Sequence, residues 1–436
     1  MGEAIFFTLL GGLALASFWS KFRSNGSNRR LQAWKEAAAS CGLQILSDRV
    51  PLQTWTGPLM VRFETCGSEG QSTRIVAVVP GPPDFIMVRL RPERPFSSER
   101  EIEIGDVTFD SAFVVEGPAP VVLALLDAET RRLLLRLNAE SRLEIFIGAL
   151  RADMSDEKVP SVLPLLLEIS QQLAQSMDVP RRLTENAKRD PEAGVRLQNL
   201  LLLMRELPGE PGTVEALRTA CSDASPEVRL RAAKALGAEG RDTLLELTEI
   251  LVDDALSAEA VSALGRELPF ERANALLDHA LRKHRLRTAR ACLEVLGQIG
   301  TAAAVDVMVK VIEREEGDLV TAAVEALGAI GSPSAEPSLI LALGREPEDL
   351  RIAAANVLGR VGSASAVLPL KETAERFWFD LKLRRATRQA IAEIQSRLQG
   401  ASPGQLSLAG ADAGQLSLTT DAAGQLSLTP EPERSD

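Results

Sequence analysis

Tyrosine is absent from the 436-residue chain, and aromatic residues of all kinds make up only 4%. A chain so poor in aromatics and rich in Ala and Leu leans helical. Histidine occurs twice, at His279 and His284; ligands on one helix face need a spacing of three or four, so the pair suits a solvated or packing role better than a metal site. Cysteine is sparse as well. Cys41, Cys66, Cys221 and Cys292 include no CxxC pair, which points to packing thiols and away from a zinc site or a disulfide framework. Basic residues do not dominate: the net charge is −11 and the pI about 5.1. That disfavours nucleic acid as a partner, because polyanion binding relies on dense Lys and Arg to displace counterions. What remains is 45% apolar and 25% charged, ordinary for folded protein and long enough for two or three domains.

One long apolar run stands at the start. Ala4 to Trp19 (AIFFTLLGGLALASFW) is uncharged and is followed by Lys21, Arg23, Arg29 and Arg30. As a helix it would span about 24 Å, short of the ~30 Å hydrocarbon core, with Trp19 at the interface and Lys21 snorkelling. Residues 1–20 are therefore expected to form a single transmembrane signal anchor, joined by a linker at 21–30. Glu3 precedes the run and Lys and Arg follow it, so the positive-inside rule puts the bulk of the chain in the cytoplasm, on the inner membrane. A cleaved signal peptide is the main alternative, with Ala14-Leu15-Ala16 as a cleavage-like site, although no basic stretch precedes it. An ordinary buried segment is another. No Cys follows directly, against a lipoprotein, and Phe6 stands where a myristoylation signal wants Ser or Thr.

Residues 31–178 predict a small α+β domain. Leu31 to Ala39 has helical spacing. Period two then takes over in Met60 to Glu64, Arg74 to Val79, Ile86 to Leu90 and Glu101 to Ile104, broken by clusters such as Pro80-Gly81-Pro82-Pro83; these are antiparallel strands joined by turns. Two helices are expected from Val121 to Leu137, one strand from Leu143 to Leu150, and a helix from Val162 to Met177. Between Gly105 and Leu137 the chain carries GDxxFDxxFxVxG and then a leucine-rich, Arg-containing helix. That stretch resembles an uncharacterised bacterial domain found after a membrane anchor. The resemblance implies a membrane-proximal regulatory or docking domain with no known chemistry. Asp106, Asp110 and Glu116 have no histidine or nucleophile motif beside them, so turn capping and strand-edge roles outrank catalysis or metal binding.

Self-similarity dominates the rest. LGAEG (Leu236 to Gly240), LGREL (Leu264 to Leu268), LGQIG (Leu296 to Gly300), LGAIG (Leu327 to Gly331) and LGRVG (Leu358 to Gly362) recur at spacings of 28, 32, 31 and 31 residues. Aligned on the first Gly, the preceding residue is always Leu. Five before it stand Ala232, Ala260, Cys292, Ala323 and Ala354, small enough for close helix approach. Four before it stand Ala233, Val261, Leu293, Val324 and Ala355, which completes a one-sided apolar stripe. Each unit reads as a helix pair whose glycines mark helix C-termini. About seven pairs fit in residues 181–398, a C-terminal all-α solenoid.

Asp223 with Arg229, and Asp190 with Arg196, share a six-residue offset, and Arg351 falls in the column of Arg229. The pattern resembles the HEAT repeat and its phycobilisome-lyase-type relatives. That resemblance implies that Asp opens the second helix and Arg reaches back across the repeat; other units lack the pair, so the ladder is incomplete. It is specific for fold and nearly silent on function, and no residue set here supports bilin chemistry.

Three before the aligned Gly stand Lys234, Ser262, Glu294, Glu325 and Asn356, polar residues in an otherwise apolar stripe. They form either a partner-binding row on a concave face or a solvated helix face. Arg282, Lys283, Arg287 and Arg290 make the densest basic cluster, with Arg384, Arg385 and Arg388 a second; both suit acidic partners, anionic headgroups or plain solvation. Residues 400–436 hold three Gly-Gln-Leu-Ser-Leu copies and read as a disordered tail. The copies could pair with a partner's sheet edge, multiply weak binding or record replication slippage. The expectation is a non-enzymatic, membrane-tethered scaffold or adaptor for protein partners, with no cofactor. The alternative is an accessory subunit that presents a substrate to a partner enzyme.

Overall fold

The structure is a computed structural model and describes residues 28–47, 49–67, 72–81, 83–92, 101–175 and 177–397, with the backbone of two short strands at 406–408 and 416–418. The chain divides into two compact units, Met1–Leu236 and Gly237–Asp436.

In the first unit, helix α1 (28–40) leads into strands β1 (Gln44–Ser47), β2 (Leu52–Thr56), β3 (Leu59–Cys66), β4 (Ser72–Val78), β5 (Arg89–Pro92), β6 (Phe113–Glu116), β7 (Arg142–Phe146) and β8 (Ala149–Ser155). They form one sheet in the order β1-β2-β3-β4-β8-β7-β5-β6, every described pair antiparallel. Alternation in the sequence decides which face is covered: Val61, Phe63, Ile75, Ala77, Leu150 and Ala152 are fully buried, while Arg74 and Asp153, directly opposite on the other face, form a bidentate pair at 2.7 Å. Trp34 of α1 lies on the covered face, stacked on Phe63 with its Nε1 donating to Thr73 Oγ1 at 2.9 Å. Helices α2 (Val107–Ala112), α3 (Ala119–Leu125), α4 (Ala128–Glu140) and α5 (Val159–Leu173) complete this layer.

The single strand expected from Leu143 to Leu150 is a hairpin. Ile147 and Gly148 both have positive φ, 50° and 67°, the geometry of a tight two-residue turn. The apolar run Ile145 to Leu150 hides the reversal, and Gly148 is the one residue that signals it.

Four more helices belong to the same unit: α6 (Val179–Arg189), α7 (Ala193–Glu206), α8 (Pro211–Ala220) and α9 (Pro226–Leu236). They pack as two helix pairs, and one continuous core runs from Trp34 to Ala232. Arg131, 2% exposed, joins sheet layer to helix pairs: its Nη atoms donate to both Asp190 oxygens at 2.9 Å, Nη1 to the Leu126 carbonyl at 2.9 Å, and Nε to Asp106 at 2.8 Å. Gly105 and Gly194 touch backbone to backbone, where a side chain on either would collide. Asp106 caps α2 by accepting from the Thr108 and Phe109 amides, and Asp110 accepts from Ile104 and Gly105. The GDxxFD string thus ties a turn together.

Unit two is built from five helix pairs: α10 (Arg241–Ile250) with α11 (Asp254–Leu264), α12 (Phe270–Arg282) with α13 (Leu286–Ile299), α14 (Ala302–Arg314) with α15 (Asp318–Ile330), α16 (Glu336–Leu343) with α17 (Glu348–Val361), and α18 (Val367–Arg376) with α19 (Leu381–Arg397). The second helices α11, α13, α15, α17 and α19 pack on one another in succession. Only some of the glycines in the repeated strings end helices. Gly265 has φ 50°, and Gly300 and Gly331 are left-handed caps, but Gly297, Gly328 and Gly359 sit inside helices. Those three let the next second helix come close: a Cβ on Gly297 would meet Ala326 at 3.0 Å, one on Gly328 would meet Val357 Cγ2 at 2.6 Å, and one on Gly359 would meet Ala390 Cα at 3.0 Å.

The expected transmembrane helix, and with it the single-pass inner-membrane localisation, is corrected: no helix among the described residues is long and apolar enough to cross a membrane. The leucine-rich α5 has 15 residues, where about 20 apolar ones are needed, and the 17-residue α19 is heavily charged. Residues 1–20, on which the anchor was placed, lie outside the described residues, as does most of the segment 400–436; within the latter, Leu406–Leu408 and Leu416–Leu418 pair antiparallel.

Candidate functional site

Each second helix buries one stripe and exposes another. The small column is sealed, with Ala232, Ala260, Cys292, Ala323 and Ala354 all 0% exposed, as are Ala233, Val261, Leu293, Val324 and Ala355 beside it. Burial pushes the Cys292 thiol up to about 12, so it is an inert packing group. Further contacts bind successive second helices. Arg196 of α7 donates to both oxygens of Asp223, just ahead of α9, at 2.7 Å. Asp254 of α11 accepts from the Arg287 and Thr288 amides at 3.0 and 2.9 Å and from the Thr288 hydroxyl at 2.7 Å, capping the first turn of α13. Burial alone would raise the Asp254 carboxyl, but these hydrogen bonds and the charge of Arg285 outweigh it and hold the group below the usual carboxylate range. Arg351 instead lies 4.1 Å over the Phe377 ring.

The opposite face is polar. Lys234, Ser262, Glu294, Glu325 and Asn356 are all exposed. Between α13, α15 and α17 this face opens into a groove of about 550 Å³, whose lining includes Arg290, Asp318, Thr321, Glu325, Ile352, Asn356 and Arg360. Arg290 Nε donates to Glu294 at 3.1 Å, and its Nη2 stands 4.0 Å from Glu325. Both contacts are open to solvent, so these side chains can exchange partners at little cost. Of the residues singled out from sequence, Glu325, Asn356 and Arg290 line the groove and Glu294 touches it through Arg290. Lys234 lies in the first unit, and Ser262 is outside the groove on α11. Arg282 and Lys283 stand at the far end of α12, where Arg282 Nε donates to the Asp278 carbonyl at 3.2 Å. Arg287 opens α13, its amide held by Asp254. The groove residues missed, Asp318, Thr321, Ile352 and Arg360, fall seven or ten places before the aligned Gly or one after it, on the same helix face as the chosen column.

Among the described residues no group of three His, Cys, Asp or Glu could hold a metal ion. The groove offers charged and amide groups on a wall of packed helices.

Residues 244–328 match the HEAT repeats family, and residues 320–345 match the PBS lyase HEAT-like repeat. The repeats are HEAT-like. Together the two matches cover α11 to α16 and reach into α10, so the groove lies on HEAT-like helices and their immediate neighbour α17. Among curated proteins none matches the chain. Solved structures similar to it include an engineered protein (18% identity, TM-score 0.32, covering 42% of this chain and 96% of that one) and human deoxyhypusine hydroxylase in complex with glycerol (16%, 0.23, 50% and 96%). A third is the complex of CpcE and CpcF of phycocyanin lyase from Nostoc sp. (20%, 0.30, 50% and 96%). Likeness at this level bears on neither partner nor chemistry.

Proposed function

We propose that the protein is an adaptor that holds a protein partner along the HEAT-like second helices and performs no chemistry itself. The groove between α13, α15 and α17 carries this reading, since exposed charged and amide side chains, with Thr321 half-buried among them, line much of it on a packed helical wall. Repeats of this kind present extended surfaces rather than enclosed pockets, and the mixed signs of Arg290, Asp318, Glu325, Asp349 and Arg360 favour a partner segment with alternating charge, since complementary potentials set register and exclude wrong partners. The solvated Arg290–Glu294 contact leaves these groups available.

A photo-crosslinking amino acid at Asn356, in the groove, and another at Asp306, on the first helix α14, test it in cells. Crosslinks to a discrete protein from position 356 that are absent from position 306, and that disappear in Glu325→Lys, support the reading. Equal products from both positions, or products indifferent to Glu325→Lys, overturn it.

A further inference from the structure

The turn between α18 and α19 presents hydrophobic side chains with no interior to fill. Trp378 is 69% exposed, Phe379 68% and Leu381 76%, far from the burial such side chains usually find. The turn is well tied down. Phe377 folds inward against Arg351, Asp380 caps α19 by accepting from the Leu383 amide at 2.9 Å, and Arg384 donates to the Trp378 carbonyl at 3.2 Å. A turn anchored at three points thus holds its remaining apolar side chains outward, Trp378 edge-on to Phe379 at 6.3 Å between centroids.

Charge around the tip has one prevailing sign. Arg376, Lys382 and Arg385 are exposed near it and Arg388 is exposed two turns along α19; Asp380 is buried and engaged as a cap, while Glu372 and Glu375, also exposed, lie on the last turns of α18. In a chain of net charge −11 this is a local reversal. An indole, a phenyl and a leucyl side chain exposed on one turn, with Lys and Arg near them in the chain, match a bilayer interface: the rings settle at headgroup depth and the cations meet lipid phosphates. Anionic lipids strengthen such contact by charge attraction. We infer that the α18–α19 turn is a peripheral docking site for an anionic lipid surface. The contact is made by a turn lying at the surface and calls for no spanning helix.

The full chain is sedimented with phosphatidylcholine vesicles with or without phosphatidylglycerol. The expected result is tighter partition onto the anionic vesicles, weakened about tenfold by Arg385→Glu with Arg388→Glu and about tenfold or more by Trp378→Ala with Phe379→Ala and Leu381→Ala. All five side chains are exposed, so circular dichroism of the variants should be that of the parent. Because Ala4 to Trp19 is also apolar, brominated acyl chains supply the readout specific to the tip: the emission lost in Trp378→Phe should be the part that brominated lipid quenches. Equal partition of parent and tip variants, Trp378 emission untouched by brominated lipid, or no preference for anionic vesicles overturns the inference. Complete failure of the parent to bind would assign the tip to an acidic protein surface instead.

Discussion

Arg131 carries its charge into the core of the first unit, and everything around it is arranged to receive it: both oxygens of Asp190, one of Asp106, and the Leu126 carbonyl. Such a cluster costs desolvation energy that its own geometry offsets, so it need not stabilise the fold relative to an apolar core, yet breaking one side leaves a buried charge alone. Arg131→Met should therefore cost about 3–5 kcal/mol in urea unfolding, and Arg131→Met with Asp190→Leu should recover part of it; a loss under 1 kcal/mol for the single change would show that the cluster is solvated. Asp223 gives a second residue-scale test. Burial alone would raise its carboxyl, but hydrogen bonds from Arg196 and Ser225 and the charges of Arg196 and Arg229 outweigh this and hold it below its ordinary value. With the folded value depressed from about 3.9, its contribution is complete above that pH and is lost as pH falls through the lower folded value. The stability gap between the parent and Asp223→Asn should thus be constant from pH 7 to about 5 and shrink below about 4; a gap that widens on acidification would contradict the sign.

At the scale of elements, a thirty-one-residue period made the second helices legible. The position before each aligned Gly is always Leu, and one stripe per helix is apolar. The same alignment misjudged the glycines, because a helix end and a close helix contact both favour a missing Cβ and only packing separates them. Other features left little local trace: apart from Gly148 the β7–β8 turn lies within an unbroken apolar run, and the pairing of Arg131 with Asp190 joins residues 59 apart. Groove residues such as Thr321, Ile352 and Arg360 were overlooked because a single alignment column samples one position per helix, whereas a wall is made of every third or fourth. Gly328→Ala tests the packing account. Its Cβ would press on Val357 Cγ2 and should cost about 1–3 kcal/mol, with faster amide exchange concentrated in α15 and α17. Gly331→Ala meets nothing within 4 Å but has φ 72°, so its cost, about 1–2 kcal/mol, should show as fraying at the end of α15 without loosening α17.

On the scale of the whole molecule, repeated units set the range over which any change is felt, since each second helix touches chiefly its own partner and its neighbours in the row. Leu296→Ala removes a side chain that is 0% exposed and should cost about 2–5 kcal/mol, with hydrogen exchange rising in α11, α13 and α15 and the sheet β1 to β8 unaffected. The wall proposed for binding is predicted to behave in the opposite way. Glu294 and Glu325 are more than half exposed and meet only Arg290 among the ion pairs of the described residues. Reversing both to Lys changes the charge of the groove by four and leaves the leucine core beneath intact. The double variant should lie within about 0.5 kcal/mol of the parent in unfolding, yet lose the crosslinks formed from position 356, because Arg290 would then face like charges and only Asp318 and Asp349 would be left as acidic groups lining the groove. If the double reversal unfolds the protein, the two glutamates hold the array together; if it leaves the crosslinks unchanged, the partner sits elsewhere. Stability without capture is the outcome that assigns this face to binding.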